Sequence, residues 1–378
     1  MPKAGSLDQL RLEGFDESEL QATEDLLKIE VRSSDVKSRV TQSSVQVKAI
    51  GLNFADIFAC QGLYSATPTG SFVPGLEFSG IIVEVGADVK ERDGWRPKAG
   101  ERVMGVTRFG GYTTHLLTRS CFVRPIPSDW SYEEGAGFLC TSLTAWYGLV
   151  HLGGLKKDQH VLVHSAAGGV GLAALEIVLA HKAHPIATIG TASKASLLQA
   201  RMRGRRRILG IYVTQERFNL PSSKIIEGIA IVMDSVQGPY FQPCYDRLCR
   251  GGRIVVFGAA SMTPPGDRPN WIRLAWQWLR RPTVDPLEII AANKGVLGFN
   301  LIWMWDKVEE MSEMLKSMLA AVPWKVRGFD IDLVASPTCQ RPLVGKTYKM
   351  EDAADALRFL QSGQNVGKVV LVVNSGSS

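Results

Sequence analysis

The chain has 378 residues, of which 45% are hydrophobic and 37 are glycine, a composition typical of folded globular domains with many tight turns. Its length suggests two domains or one large one. No apolar run reaches the roughly 20 residues of a membrane-spanning helix. The acidic stretch 1–27 lacks an apolar core, so we expect no secretory signal there. The net charge of +6 raises the question of a nucleic-acid partner.

Most of that positive charge comes from one segment, 201–207, and the rest of the chain is nearly neutral. We therefore expect a solvated surface turn and no nucleic-acid partner. The alternative is that these side chains reach the phosphate of a cofactor. The arginines of the segment are Arg201, Arg203, Arg205, Arg206 and Arg207.

The six cysteines are scattered and form no CxxC pair, so the sequence predicts neither a disulfide framework nor a zinc ribbon. A reducing, cytoplasmic location is the expectation for such a chain. The cysteines are Cys60, Cys121, Cys140, Cys244, Cys249 and Cys339.

Two kinds of pattern follow one another along the chain. Between residues 45 and 124, short alternating segments separated by glycines predict a β-rich barrel domain. Ser131 is then a candidate N-cap for the helical pattern that extends to residue 150. From His160 onward strands alternate with helices, which predicts a parallel doubly wound sheet. The expected fold class is therefore α/β.

The segment "VLVHSAAGGVGLAALEIV", residues 161–178, carries the most informative motif. An apolar strand enters a glycine-rich turn and an apolar helix follows, which is the dinucleotide-binding fingerprint with Ala166 at the first glycine position. Close approach of a pyrophosphate and free N–H groups at the helix start are the physical basis of such a site. The alternative is a tight turn without a ligand. The predicted contacts are Ala167, Gly168, Gly169, Val170 and Gly171.

The end of the next strand distinguishes between the two nicotinamide cofactors. An NAD site usually has an acidic residue about 20 residues further on, which binds the ribose hydroxyls. Residues 190–196 contain no acid and provide Gly190, Ser193 and Lys194 instead. Hydroxyl groups and a lysine suit a 2′-phosphate, so the sequence favours NADPH. The alternative for Lys194 is a solvated lysine at a helix start.

Six segments in chain order carry a resemblance to a known family. They are "GLNFADIFACQGLY", "VPGLEFSGIIVEVG", "LTAWYGLV", "VLVHSAAGGVG", "GTASK" and "QSGQNVGKVVLV". Together they resemble the zinc-free quinone oxidoreductase branch of the medium-chain dehydrogenase/reductase superfamily, and most of all its vesicle amine transport protein 1-like group. The resemblance extends from Val45 to Val373.

The resemblance implies a GroES-like β-barrel catalytic domain and a Rossmann domain that binds NADPH. We assign 1–137 and 302–378 to the catalytic domain, with 1–40 partly irregular and 325–340 an atypical insertion. The Rossmann domain is assigned to 138–301. The resemblance alone also implies a homodimer.

The chain differs from the zinc alcohol dehydrogenases of that superfamily at two ligand positions. Asn53 stands where they have a thiolate, and Leu76 stands where they have a histidine. Cys140 lies near the third ligand position, but a lone cysteine is more often a small buried apolar residue. Because a catalytic zinc needs about three protein ligands, we predict a site without metal.

Without a Lewis acid, the expected chemistry is hydride donation from NADPH to a quinone or an α,β-unsaturated carbonyl, acceptors that are already electrophilic. By resemblance, Asn53 and Tyr64 lie beside the nicotinamide. Either is a candidate donor to a developing oxyanion, and Tyr64 is also a candidate proton relay. The alternatives are a turn amide for Asn53 and a packing residue for Tyr64. We interpret Asp56 as a structural anchor.

The resemblance assigns further positions to the cofactor, each of which has a structural alternative. Contacts of this kind collect at the carboxyl ends of sheet strands. The positions are Thr141, Phe299 and Asn300 at the nicotinamide end, Tyr212 near the adenosine phosphate, Phe257 and Gly258 at a strand end, and Lys368.

Segment 270–282, "NWIRLAWQWLRRP", combines tryptophans with arginines. Such a helix fits a membrane surface, a cover for the cofactor site or a dimer contact. It supports a rival function, a nucleotide-binding protein with little turnover that acts through membrane or protein contacts. A third interpretation, within the enzyme class, is an enoyl reductase of polyketide or fatty-acid type.

Overall fold

The structure is a computed structural model, and two compact units account for the chain. The first unit comprises described residues within 1–140, 264–269 and 324–378, and the second comprises those within 141–263 and 270–323. The described residues are 42–92, 94–201, 208–213, 228–263, 266, 270–321 and 341–373. Arg203, Arg205, Arg206 and Arg207, the stretch 1–40 and the atypical insertion 325–340 lie outside them.

Strands and helices alternate in the chain order that the sequence suggests. The strands are β1 (Gln42–Gly51), β2 (Glu77–Val85), β3 (Arg102–Val106), β4 (His115–Arg119), β5 (Val123–Pro125), β6 (His160–Val163), β7 (His184–Ile189), β8 (Gly210–Val213), β9 (Ile229–Asp234), β10 (Leu248–Val256), β11 (Gly295–Gly298), β12 (Val344–Lys349) and β13 (Lys368–Val372). The helices are α1 (Phe54–Cys60), α2 (Tyr132–Ala136), α3 (Leu139–Trp146), α4 (Gly169–Ala180), α5 (Ala195–Arg201), α6 (Phe241–Asp246), α7 (Trp271–Leu279), α8 (Pro286–Ala292), α9 (Val308–Ala321) and α10 (Ala353–Gln361).

The first unit is built around a sheet of seven strands in the order β12-β13-β1-β2-β3-β5, with β4 also paired to β1. The long strand β1 runs antiparallel to β2, β4 and β13, so it links the N-terminal and C-terminal parts of the chain. Its buried Val45, Val47 and Ile50 enter a core with Phe78 and Leu371. Burial of these large apolar side chains is the main stabilising term of the unit. The predicted β-rich domain is confirmed.

Ser131 caps α2, as the sequence predicts. Its hydroxyl accepts a hydrogen bond of 3.1 Å from the Glu134 backbone N–H, and the Glu134 carboxylate accepts one of 2.7 Å from the Ser131 N–H. This reciprocal capping box satisfies two backbone donors at the helix start.

The second unit contains a six-stranded sheet in the order β11-β10-β9-β6-β7-β8. All its strand pairs are parallel. The chain starts at β6 in the interior of the sheet and builds outward on both sides, as a doubly wound sheet does. Every residue of β9 is buried, which is typical of a parallel strand covered on both faces. The predicted parallel sheet is confirmed.

The structure draws the boundary between the units differently from our assignment. The described residues 302–321 belong to the second unit rather than to the catalytic domain, and 138–140 and Gly266 belong to the first. The reason is α9, whose Met311, Leu315 and Met318 recur at helical spacing and are buried. An amphipathic helix shows in the sequence which face is apolar, but it does not show which domain covers that face.

Among the described ranges, no helix is both long enough and apolar enough to cross a membrane.

Candidate active site

The glycine-rich turn of the second unit has the geometry of an anion site. Gly168 precedes α4 in an extended conformation, and no side chain caps the helix. The first N–H groups of α4 therefore lack both an intrahelical partner and a capping oxygen. A Cβ on Gly171 would lie 2.3 Å from the Ser165 carbonyl oxygen, so only glycine fits at this position. A helix start of this kind attracts a phosphate through its N–H groups and its dipole.

The end of β7 offers space and polar groups. A Cβ added to Gly190 would meet no atom within 4 Å. The Thr191 and Ser193 hydroxyls lie 3.0 Å apart and are at least partly exposed. Lys194 is largely buried, and this burial lowers its pKa. A bound phosphate would offset that desolvation, because it supplies the opposite charge. These residues therefore fit the 2′-phosphate of NADPH.

Parallel strands bring the remaining second-unit candidates to one sheet edge. Phe257 and Gly258 follow β10, and Phe299 follows β11, so they share the carboxyl edge with the turn after β6. The Phe299 ring stacks on Phe257 at 6.0 Å and meets Tyr147 edge-on at 5.0 Å. Those contacts make the two phenylalanines parts of an aromatic cluster.

The three other candidates of the second unit are Asn300, Thr141 and Tyr212. The Asn300 side chain accepts from the Ile302 N–H at 3.4 Å and so caps a short helical turn. Thr141 is buried in α3, and Tyr212 is half-buried in β8.

In the first unit, three side chains from distant parts of the chain form one buried cluster. The Lys368 ammonium donates to the Asn53 Oδ1 at 2.7 Å and, in a very short contact, to the Glu77 Oε1. Asn53 Nδ2 donates to the same Glu77 oxygen at 3.0 Å. The Lys368 and Glu77 side chains are only 5% and 1% exposed. Their opposite charges compensate each other where neither is solvated by water.

Sheet register explains why these residues meet. Gly51 pairs with Val370 in the antiparallel β1–β13 ladder, so Asn53, two residues after Gly51, comes opposite Lys368, two residues before Val370. In the β1–β2 ladder Ile50 pairs with Phe78, which brings Glu77 opposite Gly51. Lys368 was expected to contact the cofactor. In the structure its ammonium binds Asn53 and Glu77 in the first unit, and the cofactor contact stays a prediction.

The cluster uses the hydrogen-bonding groups of Asn53 within the protein. One amide proton goes to Glu77 and the other to the Gly51 carbonyl at 3.2 Å, and the amide oxygen accepts from Lys368. An amide has two donor protons. Asn53 therefore connects Lys368 with Glu77, and its role as a donor to a developing oxyanion stays a prediction.

Asp56 lies beneath this cluster and is fully buried. Its Oδ2 accepts from the Asn53 N–H at 2.7 Å, in keeping with a structural anchor. Burial raises the pKa of Asp56 to about 7, although the Asn53 N–H and the Lys368 charge act in the opposite direction. The same buried region raises the pKa of Cys60 to about 12 and that of Tyr112 well above its usual value.

Tyr64 lies in the turn that follows α1. Its ring is half-buried and packs edge-on against Phe109 at 6.4 Å. This contact agrees with a packing role, and it leaves the proposed catalytic role of Tyr64 as a prediction.

Glu77 is the functional candidate that the sequence analysis missed. Its Oε2 also accepts from the Cys140 N–H at 3.2 Å, so the carboxylate joins three segments of the first unit. Glu77 opens β2 between the apolar Leu76 and Phe78, and a buried acidic residue needs a cationic or hydrogen-bonding partner; that requirement was the available signal.

Metal binding has no assembled ligand set in the part of the chain that the structure describes. No group of three or more His, Cys, Asp or Glu side chains there could hold a metal ion. The prediction of a metal-free site continues to rest on Asn53 and Leu76 in the sequence.

Two family models match the sequence, one over most of the first unit's N-terminal part and one over the C-terminal part of the chain. The profile of the alcohol dehydrogenase GroES-like domain matches residues 40–144, and that of the zinc-binding dehydrogenase family matches 208–371. The chain belongs to the medium-chain dehydrogenase/reductase superfamily, a group of oxidoreductases.

Individual proteins of this superfamily are similar to the chain over most of its length. The chain is 32% identical over 333 residues to the synaptic vesicle membrane protein VAT-1 homolog of Rattus norvegicus, which covers 88% of this chain and 76% of that protein. Quinone oxidoreductase of Escherichia coli, solved in complex with NADPH, has 26% identity and a TM-score of 0.69, with 90% and 94% coverage. The CurK enoyl reductase, at 24% identity and a TM-score of 0.66, covers 93% of this chain and 94% of its own and shows the fold alone.

Proposed function

We propose that this protein is an NADPH-dependent oxidoreductase that transfers a hydride to a quinone or an α,β-unsaturated carbonyl without zinc. The uncapped turn at Gly168–Gly171, followed by Ser193 and Lys194 where an NAD site has an acid, is the observation that carries the proposal. The Escherichia coli relative binds NADPH, which adds support. When bound, NADPH supplies the hydride.

In this proposal different residues bind different parts of NADPH. The turn residues Ala167–Gly171 bind the pyrophosphate, and Ser193 with Lys194 binds the 2′-phosphate. Contacts along the rest of the cofactor are assigned to Thr141, Gly190, Tyr212, Phe257, Gly258, Phe299, Asn300 and Lys368.

The 2′-phosphate assignment is tested with Lys194→Ala. We expect the Kd for NADPH to rise at least about 10-fold, because a charge-assisted hydrogen bond contributes at least about 1.5 kcal/mol. The Kd for NADH should change little. Lys316→Ala, which removes an exposed lysine paired with Glu313, is the matched control. Both constants are measured by fluorescence titration, and an equal loss for the two cofactors would show that the phosphate site is misassigned.

The reaction itself is tested by NADPH consumption across a panel of quinones, enones and enoyl thioesters. Turnover of quinones or enones is the expected result, and NADPH binding without turnover of any acceptor contradicts the proposal. Selective turnover of enoyl thioesters would favour the alternative of an enoyl reductase of polyketide or fatty-acid type. A similar fold in the CurK enoyl reductase keeps that alternative open.

We also propose that α7 binds the surface of an anionic membrane. The helix has no buried residue, and Ile272, Trp276 and Leu279 are 86%, 55% and 81% exposed. Their spacing places them on one outward face, while Leu274 and Gln277 form the inner face. On α8, Leu287 and Ile290 are also exposed.

Charge favours a lipid surface as the partner of this face. Segment 270–282 contains three arginines and no acidic residue. The guanidinium of Arg280 lies 4.0 Å from the ring centre of Trp276, and that of Arg281 lies 4.0 Å from Trp278. Tryptophan rings beside cationic groups suit the boundary between anionic headgroups and acyl chains.

Vesicle flotation tests the membrane proposal. We expect the full chain to float with vesicles that contain phosphatidylserine but not with pure phosphatidylcholine, and Ile272→Ser/Leu279→Ser to abolish flotation. Val83→Ser, at a 53% exposed apolar residue of β2, is the control. Absence of flotation contradicts the proposal. A fall in molecular mass for the double variant would instead identify the face as a dimer contact.

The expected homodimer and cytoplasmic location are proposals of the same kind. Among the described strands only β10 pairs with β11, which lies at one end of the six-stranded sheet, so its other edge is a candidate for pairing with a second copy. The described cysteines are thiols rather than disulfide partners, which is consistent with a reducing compartment. Light scattering of the purified chain tests the dimer.

A further inference from the structure

Gln237 adopts a backbone conformation that residues other than glycine rarely take. Its φ of 58° and ψ of −148° lie close to a region that is essentially restricted to glycine. Such a conformation persists only where the surrounding structure holds it in place, and residues of this kind cluster at ligand sites. Gln237 lies in the turn between β9 and α6, at the carboxyl edge of the parallel sheet. The strain is therefore located where a doubly wound sheet binds its ligand.

Two hydrogen bonds hold Gln237 in this conformation. Its backbone N–H donates to the Asp234 Oδ1 at 2.8 Å, and Asp234 is completely buried at the end of β9. Its side-chain Nε2 donates to the Gly258 carbonyl oxygen at 2.9 Å. The first bond keeps the strained backbone against the sheet. The second connects the turn after β9 with the turn after β10.

The turn after β9 also contacts its neighbours through Ser235. The Ser235 carbonyl oxygen accepts from the Ala260 N–H at 3.0 Å, and a Cβ added to Gly258 would lie 2.9 Å from the same oxygen. The Ser235 hydroxyl donates to the Ser165 hydroxyl at 3.2 Å, at the start of the glycine-rich turn after β6. Because β9 lies between β6 and β10 in the sheet, its turn supports both of the neighbouring turns that we assign to NADPH.

We propose that Gln237 is a positioning residue of the NADPH site, which keeps Gly258 and the turn after β10 in the conformation that the cofactor binds. This inference rests on the proposed function. A turn that is already ordered loses less conformational freedom when a ligand binds, so its order adds to affinity. Without the Gln237 amide the turn samples other conformations, and the apparent affinity falls with the fraction that remains competent to bind.

A purely structural role for Gln237 makes a different prediction. If the residue only stabilises the fold, NADPH affinity follows stability from one variant to the next. If it positions Gly258, affinity depends on the side-chain amide, whereas stability depends mainly on the backbone conformation. Substitution by glycine separates the two, because glycine adopts a positive φ without strain but lacks the amide. Substitution by methionine removes the amide and keeps the strain.

The experiment compares Gln237→Gly with Gln237→Met by thermal melting and by fluorescence titration with NADPH. We expect the melting midpoint of Gln237→Gly to lie about 2 °C or more above that of Gln237→Met. The Kd for NADPH should nevertheless rise about 3- to 10-fold in both variants, as for the loss of one neutral hydrogen bond. The Kd for NADH should rise by the same factor, because the 2′-phosphate is assigned to Ser193 and Lys194 rather than to this turn.

Two control variants match the two changes. Gln242→Met removes the amide of an exposed glutamine of α6, whose Nε2 donates to the Asp246 carboxylate at 2.8 Å. Asn293→Gly removes a side chain at another positive φ, of 50°, at the end of α8. Both controls should leave the Kd for NADPH unchanged.

The outcomes separate a failure of this inference from a failure of the proposed function. Wild-type affinity in Gln237→Gly overturns the inference and leaves the proposed function standing. A Kd that rises only in the less stable variant also overturns it, in favour of a structural role. If Gln237→Met fails to fold, the Kd of Gln237→Gly decides alone. A wild-type protein that does not bind NADPH overturns both.

Discussion

The buried carboxyl of Asp56 makes the stability of this protein depend on pH. Its pKa is raised from 3.8 to about 7 by complete burial. The charged or titratable groups around it are Lys368, Glu77, Cys60 and Tyr112. Between the two pKa values the unfolded chain ionises this carboxyl while the folded chain keeps it protonated. The unfolded state then binds fewer protons, so stability falls as pH rises through that window.

Replacement of Asp56 by asparagine tests this response, because the amide oxygen still accepts from the Asn53 N–H and the side chain cannot ionise. We expect the wild-type free energy of unfolding to fall by up to about 4 kcal/mol, relative to the variant, between pH 4 and pH 7. Urea unfolding at several pH values measures the difference. Asp355→Asn, at an exposed aspartate paired with Arg358, should follow the wild type. Parallel pH curves for wild type and Asp56→Asn would rule the assignment out.

Single residues also mark the limit of what the sequence revealed about the candidate site. Asn53 was identified because an amide stands at a position where related enzymes have a thiolate. Its partners were not identified, since Glu77 and Lys368 lie 24 and 315 residues away. The pairing of Gly51 with Val370 brings them together, and strand register depends on the assembled sheet rather than on any local pattern.

At the scale of elements, the strand–turn–helix unit from β6 to α4 was predictable almost in full. Its signals are local: an apolar strand, closely spaced glycines and an apolar helix. The structure adds the reason for Gly171, where a Cβ would meet the Ser165 oxygen at 2.3 Å, and the open space at Gly190. Substitutions at these two glycines therefore distinguish an effect on packing from an effect on cofactor binding.

Gly171→Ala should lower both stability and NADPH affinity, because the added methyl group forces the helix away from the turn, at a cost of roughly 1–3 kcal/mol. Gly190→Ala should leave the melting midpoint unchanged, since its methyl group meets no protein atom within 4 Å. If the cofactor passes over Gly190, that variant should still bind NADPH more weakly. Thermal melting and fluorescence titration measure the two effects. Unchanged stability in Gly171→Ala would contradict the packing argument.

For α7, in contrast, the sequence predicted the helix but did not decide what it contacts. Its aromatic and basic composition was visible in the sequence, but the sequence left three partners open. The structure shows that Ile272 and Leu279 point away from the second unit's core. Exposed apolar side chains at this density mark a contact surface, and the flotation experiment is directed at that face.

For the whole molecule, the class of each sheet followed from the sequence. Alternation with a period of two predicted the barrel, and alternation of strands with helices predicted the parallel sheet. The boundary between the units did not follow. α9 joins the second unit, although its residues were assigned to the catalytic domain, whereas the C-terminal strand β13 returns to the first unit beside β1, as assigned. A chain that leaves a domain and returns gives no local sign of the crossing point.

The sequence by itself determined the fold class, the glycine-rich turn after β6 and the cap of α2, because each has signals that lie within short stretches of the chain. Only the tertiary structure decided which charged groups meet. The buried cluster of Lys368, Glu77 and Asn53 exists because three strands take one register. The raised pKa of Asp56 exists because the residues packed around it exclude water. The cluster and the raised pKa both result from packing between distant parts of the chain. A polar group that is buried there needs its hydrogen-bonding or charged partner.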